Sequence, residues 1–164
     1  MHSKKHIFLL GIITNMKQRP ELHGIERRLI TSLKNKGYRL TSQRRQIIKL
    51  LARDPSHPGA MDILQSARAK APQISMSTVY YTLDMLKREG LIQELEFYDR
   101  DNRYDVNVSD HINLICRSCG KIEDFAGEVP FSSEVIEEQT GFRPMGMRFE
   151  YYGYCKECRR KNKR

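Results

Sequence analysis

The fold depends most on residues 75–90, SMSTVYYTLDMLKREG. Val79, Leu83 and Leu86 recur at i, i+4 and i+7, which gives a helix one apolar side along its whole length. The serines at the start of the stretch are suitable N-caps, and the glycine at its end is placed to stop the helix. The stretch therefore predicts one amphipathic helix, with a hydroxyl-rich first turn outside the apolar stripe.

Shorter patterns flank this helix on both sides. Upstream, apolar residues recur at helical spacing in the segments 25–36, 41–54 and 60–71. Downstream, residues 91–97 and 103–108 indicate two strands around a polar turn. Short helices followed by a hairpin are typical of a winged helix-turn-helix, whose fourth helix would be the recognition helix. Besides the helix already described, the expected core comprises Ile25, Leu29, Ile30, Leu33, Ile47, Ile48, Leu50, Leu51, Ile63, Leu64 and Ala67.

All four cysteines of the chain fall in two Cys-x-x-Cys pairs, Cys116/Cys119 and Cys155/Cys158. Two residues between thiols let one short turn aim both sulfurs at a single point. Two such turns complete the tetrahedron of a structural zinc site. The alternative is a pair of disulfides in a secreted protein. Because the chain has no convincing export signal, we expect zinc.

The residues around the cysteines form a second, smaller module. Strand patterns lie near 111–115, 122–125 and 147–154, and a helix is expected between Phe131 and Gly141. About fifty residues make a poor independent core, so such a module usually needs a staple or a partner. We expect zinc to supply the staple and a homodimer to supply the partner.

The charge of the 164-residue chain is strongly positive, with a net charge of +9 and a pI of about 9.5. Residues 25–90 contain 13 Lys and Arg against 5 Asp and Glu, and residues 159–164 add a basic tail. Nucleic acid is the first partner that this charge favours, and an acidic membrane surface is the second. We therefore expect an α+β protein with an extension at 1–20, a winged-helix DNA-binding domain at 21–107 and a zinc-stapled dimerisation domain at 108–164.

The N-terminus carries a weak resemblance to an export signal. Lys4 and Lys5 precede an apolar run from Ile7 to Ile13, which is too short to span a bilayer. The following Thr14–Lys17 offers no small-residue cleavage site. We interpret the segment as an N-terminal extension and expect a cytoplasmic protein.

The start of the recognition helix and the preceding helix supply the candidate DNA contacts. Hydroxyls and backbone N–H groups at a helix N-terminus suit phosphate oxygens, and an exposed tyrosine can pack on a thymine methyl. The alternatives are that one tyrosine caps the core and that each arginine lies on a solvated helix face. The candidates are Arg39, Arg44, Arg45, Ser75, Ser77, Thr78, Tyr80 and Tyr81.

Outside the cysteines, other potential metal ligands cluster in the sequence. Asp105, His111, Asn113 and Asp124 lie close together in the sequence, and His57 stands in the turn before the third helix. Imidazole and carboxylate donors suit Fe(II), Mn(II) or Zn(II). The alternative is a set of surface polar residues around a hinge.

From Ile25 to Cys158 the chain resembles the ferric uptake regulator family, most closely its peroxide-sensing branch. Six stretches carry the resemblance: GYRLTSQR at 37–44, HPGAMDI at 57–63, STVYYTL at 77–83, NRYD at 102–105 with SDH at 109–111, CRSCGKI at 116–122 and GYCKEC at 153–158.

The resemblance implies a homodimeric transcriptional repressor rather than an enzyme. It implies that a winged helix binds AT-rich palindromic DNA and that a second domain dimerises around structural zinc. It further implies a regulatory Fe(II) or Mn(II) held by His57, Asp105, His111 and Asp124. In the peroxide-sensing branch the ligand histidines become oxidised, which points to His57 and His111. An aspartate at position 105 resembles that branch, whereas a glutamate resembles iron sensing.

Two positions depart from the family pattern. Asn113 stands where a second histidine is usual, and an amide oxygen is a weaker donor that favours hard ions such as Mn(II). The alternative function is a family member that senses iron, zinc or manganese, or one whose switch is altered or constitutive. Residues 145–147 offer no histidine, so the third metal site of some relatives is not expected.

Two other classes of protein fit the sequence less well. A thioredoxin-like enzyme needs one reactive Cys-x-x-Cys pair within a βαβ pattern, and the sequence predicts no such unit. An RNA-binding zinc ribbon would not place most of the positive charge in the helical half of the chain.

Overall fold

The computed structural model describes residues 22–125, 127, 129 and 131–161. The predicted α+β class is confirmed, and the proposed extension at 1–20 lies outside the described residues. No helix in the described ranges is long and apolar enough to cross a membrane. The elements in chain order are α1 Leu22–Asn35, α2 Ser42–Arg53, α3 Ala60–Arg68, α4 Met76–Arg88, β1 Gln93–Leu95, β2 Arg103–Asp105, β3 Ile112–Cys116, β4 Ile122–Phe125, α5 Ser133–Thr140, β5 Phe149–Gly153 and α6 Lys156–Lys161.

The chain divides into two compact units, and the boundary lies between Val108 and Ser109. The first unit contains α1 to α4 and the β1–β2 hairpin. Its four helices pack around one apolar core, because each of them buries the stripe that the sequence predicts. Ile30 and Leu50 are the exceptions, since both are only partly buried at the edge of this core.

Side-chain caps and glycines set the ends of the first unit's helices. The Thr41 hydroxyl accepts the Arg44 N–H at 3.3 Å at the start of α2, and the Ser75 hydroxyl accepts the Thr78 N–H at 3.2 Å at the start of α4. Gly37 and Gly90 follow α1 and α4 with φ of +83° and +63°. An L-residue with a side chain is strained in that left-handed region, so glycine stops both helices at little cost.

The β1–β2 hairpin is shorter than the sequence predicts. The strands pair antiparallel from Gln93↔Asp105 to Leu95↔Arg103. Beyond Leu95, the Phe97 N–H donates to the Asn102 side chain at 3.3 Å instead of to the opposite strand. Beyond β2, the Asp105 carboxylate accepts the Asn107 N–H at 2.8 Å. Both bonds replace ladder pairing with local turns, and this ends the strands early.

Among its described residues, the second unit has a three-stranded sheet in the order β4-β3-β5 and two short helices. β3 runs antiparallel to β4 and parallel to β5. Ile112, Ile115 and Ile122 are buried, whereas no residue of α5 is fully buried. The sequence analysis missed α6, which begins directly after Cys155. Its six residues are too few, and too basic, to show a helical apolar pattern.

Candidate metal centres and nucleic-acid surface

The four cysteines of the second unit converge. β3 and β5 are parallel neighbours, so Cys116 at the end of β3 lies beside Gly153 and thus close to Cys155. The four sulfur atoms lie within 4.8 Å of one another, and the Cys119 and Cys155 sulfurs are 3.8 Å apart. Four thiolates about 2.3 Å from one tetrahedral zinc ion are about 3.8 Å apart from each other. The cluster therefore fits a structural zinc ion.

Backbone amides favour the thiolate form of one cysteine in the cluster, Cys116. The Cys155 N–H donates to the Cys116 sulfur at 3.3 Å. This bond, with that of the Cys119 amide, lowers the pKa of the Cys116 thiol, whereas burial and the Glu157 side chain raise the pKa of the Cys155 thiol. The thiolate is the form that binds a metal, so the fold favours the ligand state of Cys116.

Two of the predicted regulatory ligands face each other in the first unit. The His57 Nε2 and Asp105 Oδ2 atoms are 3.4 Å apart, and the two residues are only 3% and 5% exposed. His57 lies in the turn before α3, and Asp105 is the last residue of β2. A buried imidazole beside a buried carboxylate is a donor pair suited to Fe(II), Mn(II) or Zn(II).

The other three predicted ligands belong to the second unit. Asn113 of β3 pairs in register with Asp124 of β4, so their side chains share one face of the sheet. His111 Nδ1 lies 2.7 Å from the Ser109 carbonyl oxygen, which only accepts, so Nδ1 is the donor and Nε2 carries the lone pair when the imidazole is neutral. Within the described residues, the buried Asn113 Oδ1 has no hydrogen-bond partner. The donors available on this unit are therefore an imidazole nitrogen, a carboxylate and an amide oxygen.

Both tyrosines of the recognition helix α4 are exposed. Tyr80 is 53% and Tyr81 47% exposed, so neither tyrosine caps the core. The Arg44 guanidinium lies 4.4 Å from the centre of the Tyr81 ring and donates to the Arg39 carbonyl at 2.7 Å. This cation–π pair, which the sequence analysis missed, joins α2 to α4 on the candidate DNA surface.

The remaining candidates at this surface differ in what they already contact. The Ser75 hydroxyl is engaged within the N-cap, 2.8 Å from the Ser77 hydroxyl and 2.9 Å from that of Thr78. Arg39 and Ser77 are exposed, whereas Arg45 and Thr78 are half-buried. Ser75 thus serves the helix start itself, and the exposed side chains are the better placed to meet a phosphate.

Glu94 ties the hairpin to the recognition helix. Its carboxylate accepts from the Lys87 ammonium of α4, from the Asn102 amide at 2.9 Å and from the Tyr104 hydroxyl at 3.1 Å. The sequence analysis gave Glu94 no role, because a single charged residue in a strand carries no pattern. Its contacts set the hairpin against α4, as expected of a wing.

Comparisons with known proteins agree with this architecture. The sequence profile described as the Ferric uptake regulator family matches residues 35–152, which is more than half of the chain. The peroxide-responsive repressor PerR of Staphylococcus saprophyticus is 38% identical over 145 residues, covering 86% of this chain and 98% of that protein. The peroxide operon regulator of Bacillus subtilis is 39% identical over 135 residues, covering 80% of this chain and 92% of that protein. The solved structure of the Helicobacter pylori ferric uptake regulator, described as having three functional metal binding sites, matches with a TM-score of 0.65 at 29% identity. The match covers 88% of this chain and 97% of that chain.

Proposed function

The chain belongs to the ferric uptake regulator family, and on that premise we propose that it is a cytoplasmic, homodimeric, metal-dependent transcriptional repressor that responds to peroxide. The observation that carries the proposal is the distribution of ligands. His57 and Asp105 form a buried donor pair in the winged-helix unit, and His111 and Asp124 belong to the zinc-stapled unit. The similarity to two peroxide-responsive regulators supports the choice of signal.

DNA binding is assigned to the first unit. Its recognition helix exposes Tyr80 and Tyr81, and Arg44 stacks against Tyr81 beside the exposed Arg39. Residues 25–90 carry the excess of positive charge, which suits the phosphate backbone. The target that the family implies is an AT-rich palindrome. A dimer of winged helices matches such a two-fold site when its two recognition helices have the spacing of the half-sites.

We expect Arg39→Ala to weaken binding to all DNA sequences and to flatten its salt dependence. Losing one phosphate contact lowers the slope of log K against log salt by about 1. Fluorescence anisotropy at several salt concentrations, on an operator duplex and on an unrelated duplex, measures both effects. Arg100→Ala is the control, since the Arg100 guanidinium is paired with Asp99 at 3.0 Å. An unchanged slope for Arg39→Ala would mean that this residue does not meet a phosphate.

Zinc and dimerisation are assigned to the second unit. The four sulfurs fit one zinc ion, which would be held by Cys116, Cys119, Cys155 and Cys158. Phe125, Phe149 and Tyr151 share one face of the sheet by register, and Phe125 and Tyr151 are about half exposed. An exposed aromatic face on a unit with so small a core supports pairing with a second copy.

The proposed regulatory site draws His57 and Asp105 from one unit and His111 and Asp124 from the other, with the Asn113 oxygen as a further donor. Sharing one ion between these groups restricts the spacing of the two winged helices in the dimer. A palindromic operator accepts only one spacing, so metal binding at these ligands would tighten DNA binding. By linkage, DNA binding would tighten metal binding by the same factor. When bound, Fe(II) would supply the redox chemistry with peroxide that adds oxygen to His57 or His111. An oxidised imidazole is a poorer ligand, and its loss would free the winged helices from the operator.

We expect Asn113→His to strengthen binding of the regulatory metal and to shift the preference from Mn(II) towards Fe(II) and Zn(II). The change replaces a neutral amide oxygen with an imidazole nitrogen, a stronger donor for these softer ions. Competitive titration with a metal indicator, on protein that already holds its structural zinc, measures each affinity. Asn35→His, at the exposed end of α1, is a control outside the proposed ligand set. If Asn113→His bound Mn(II) and Fe(II) each with the same affinity as the wild type does, position 113 would lie outside the site.

The test of the proposal is DNA binding as a function of metal. Zinc-loaded protein is mixed with a labelled duplex from the region upstream of its own gene, and Mn(II) is added. Saturable binding that requires Mn(II) supports a metal-dependent regulator. Equally tight binding with and without Mn(II) would favour the alternative, a family member in which Asn113 leaves the switch constitutive.

A further inference from the structure

The turn that carries His57 is held in an unusual backbone conformation. His57 has φ of +56°, and among the described residues it is the one non-glycine residue in the left-handed region. A residue with a β-carbon rests there only when surrounding contacts hold it. Those contacts therefore decide where the imidazole points.

The contacts come from strand β2. The Arg103 guanidinium donates through Nε to the His57 carbonyl and through Nη2 to the Ser56 carbonyl, the latter at 3.4 Å. The next residue of the strand, Tyr104, donates its N–H to the Pro58 carbonyl at 3.1 Å. Gly59 forms an antiparallel bridge with Arg103 itself. Four successive residues of the turn, 56–59, thus depend on two residues of β2.

The same strand supplies the partner of His57. Asp105 follows Tyr104 directly, and its Oδ2 lies 3.4 Å from His57 Nε2. We propose that Arg103 is a positioning residue for the regulatory metal. Its hydrogen bonds to the His57 and Ser56 carbonyls hold the imidazole beside the Asp105 carboxylate. The inference rests on the proposed role of His57 and Asp105 as ligands. A planar guanidinium reaches two carbonyls at once, which fixes the peptide planes on both sides of the His57 α-carbon. Groups that orient metal ligands in this way commonly govern metal affinity.

The test compares Arg103→Ala, Arg103→Lys and Arg100→Ala in full-length, zinc-loaded protein. Arg100 lies in the same hairpin, but its guanidinium pairs with Asp99 at 3.1 and 3.0 Å. Mn(II) binding is measured by electron paramagnetic resonance of the free ion. We expect Arg103→Ala to lower the affinity about 10- to 100-fold, Arg103→Lys to lower it less because lysine reaches one carbonyl, and Arg100→Ala to leave it unchanged. Without Mn(II), hydrogen exchange of the peptide covering 56–60 should speed up in Arg103→Ala only.

The double variant separates positioning from general stability. If Arg103 acts through His57, Arg103→Ala causes no further loss of Mn(II) affinity in a His57→Gly background, which has no donor at position 57. An added loss of the same 10- to 100-fold there would overturn the inference, because Arg103 would then act on the protein at large. Wild-type affinity in both Arg103 variants, together with weakened binding in His57→Gly, would also overturn it while leaving the regulatory site intact. Wild-type affinity in His57→Gly itself would refute the proposed site.

Discussion

Replacing Cys158 with serine is expected to remove zinc from the protein and to unfold the second unit. Structural zinc contributes roughly 10–16 kcal/mol to the folding of small zinc modules, which is more than a unit of this size gains from its own core. Cys158 is the buried cysteine of α6, and its sulfur lies within 4.8 Å of the other three. A serine hydroxyl is a poor substitute, because it does not ionise at neutral pH.

Three measurements on the Cys158→Ser protein check this expectation. Metal analysis should find less than one zinc per chain, the thermal unfolding transition of the second unit should disappear, and sedimentation should report a monomer. Ser118→Ala is the matched control, because Ser118 is exposed in the Cys116–Cys119 turn and is not among the four ligands. A folded dimer of Cys158→Ser with one zinc per chain would refute the four-thiolate site.

Removing the His57 imidazole is expected to abolish metal-dependent DNA binding while preserving zinc content and the dimer. The buried Asp105 carboxylate, 3.4 Å away, would lose its partner ligand, and the metal affinity should fall at least about 100-fold. Glycine is the better replacement, because it adopts the positive φ of position 57 without strain and carries no donor atom. His57→Ala then serves as the second variant.

Anisotropy with and without Mn(II), zinc analysis and sedimentation test the His57 variants together. His23→Ala is the control, since the sequence gives His23 no role. Loss of zinc or of the dimer in His57→Gly would contradict the assignment of separate structural and regulatory sites. Unchanged Mn(II)-dependent binding would exclude His57 from the ligands.

The helical half of the fold was predictable because its signals are local. Val79, Leu83 and Leu86 fall on one face of the helix by their spacing alone. Gly90 ends the helix because a glycine adopts a positive φ without steric strain. The strand ends were predicted wrongly, since the Asn102 and Asp105 side chains divert the backbone from the ladder. The alternation of apolar and polar residues in β1 and β2 does not predict these side-chain hydrogen bonds.

The candidate sites, too, were predictable where their signal is local in the sequence and not where it depends on distant contacts. The two Cys-x-x-Cys pairs predicted a convergence that the structure has, and the family resemblance is confirmed by the matching profile. The contact of Arg103 with the His57 carbonyl joins residues 46 positions apart, and the Arg44–Tyr81 pair joins two helices. Such contacts depend on the tertiary fold, so no short pattern reveals them. The regulatory ligand set stays a prediction.

The most direct test of the central claim is the response of DNA binding to peroxide. Zinc-loaded protein is bound anaerobically to a labelled duplex from its own upstream region in the presence of Fe(II) or Mn(II), and a pulse of hydrogen peroxide is added. We predict that peroxide releases the DNA from the Fe(II) form only, and that mass spectrometry finds one added oxygen on the peptides containing His57 or His111. Two results together would contradict the account: tight DNA binding without added metal, and DNA binding that survives peroxide in both the Fe(II) and the Mn(II) samples.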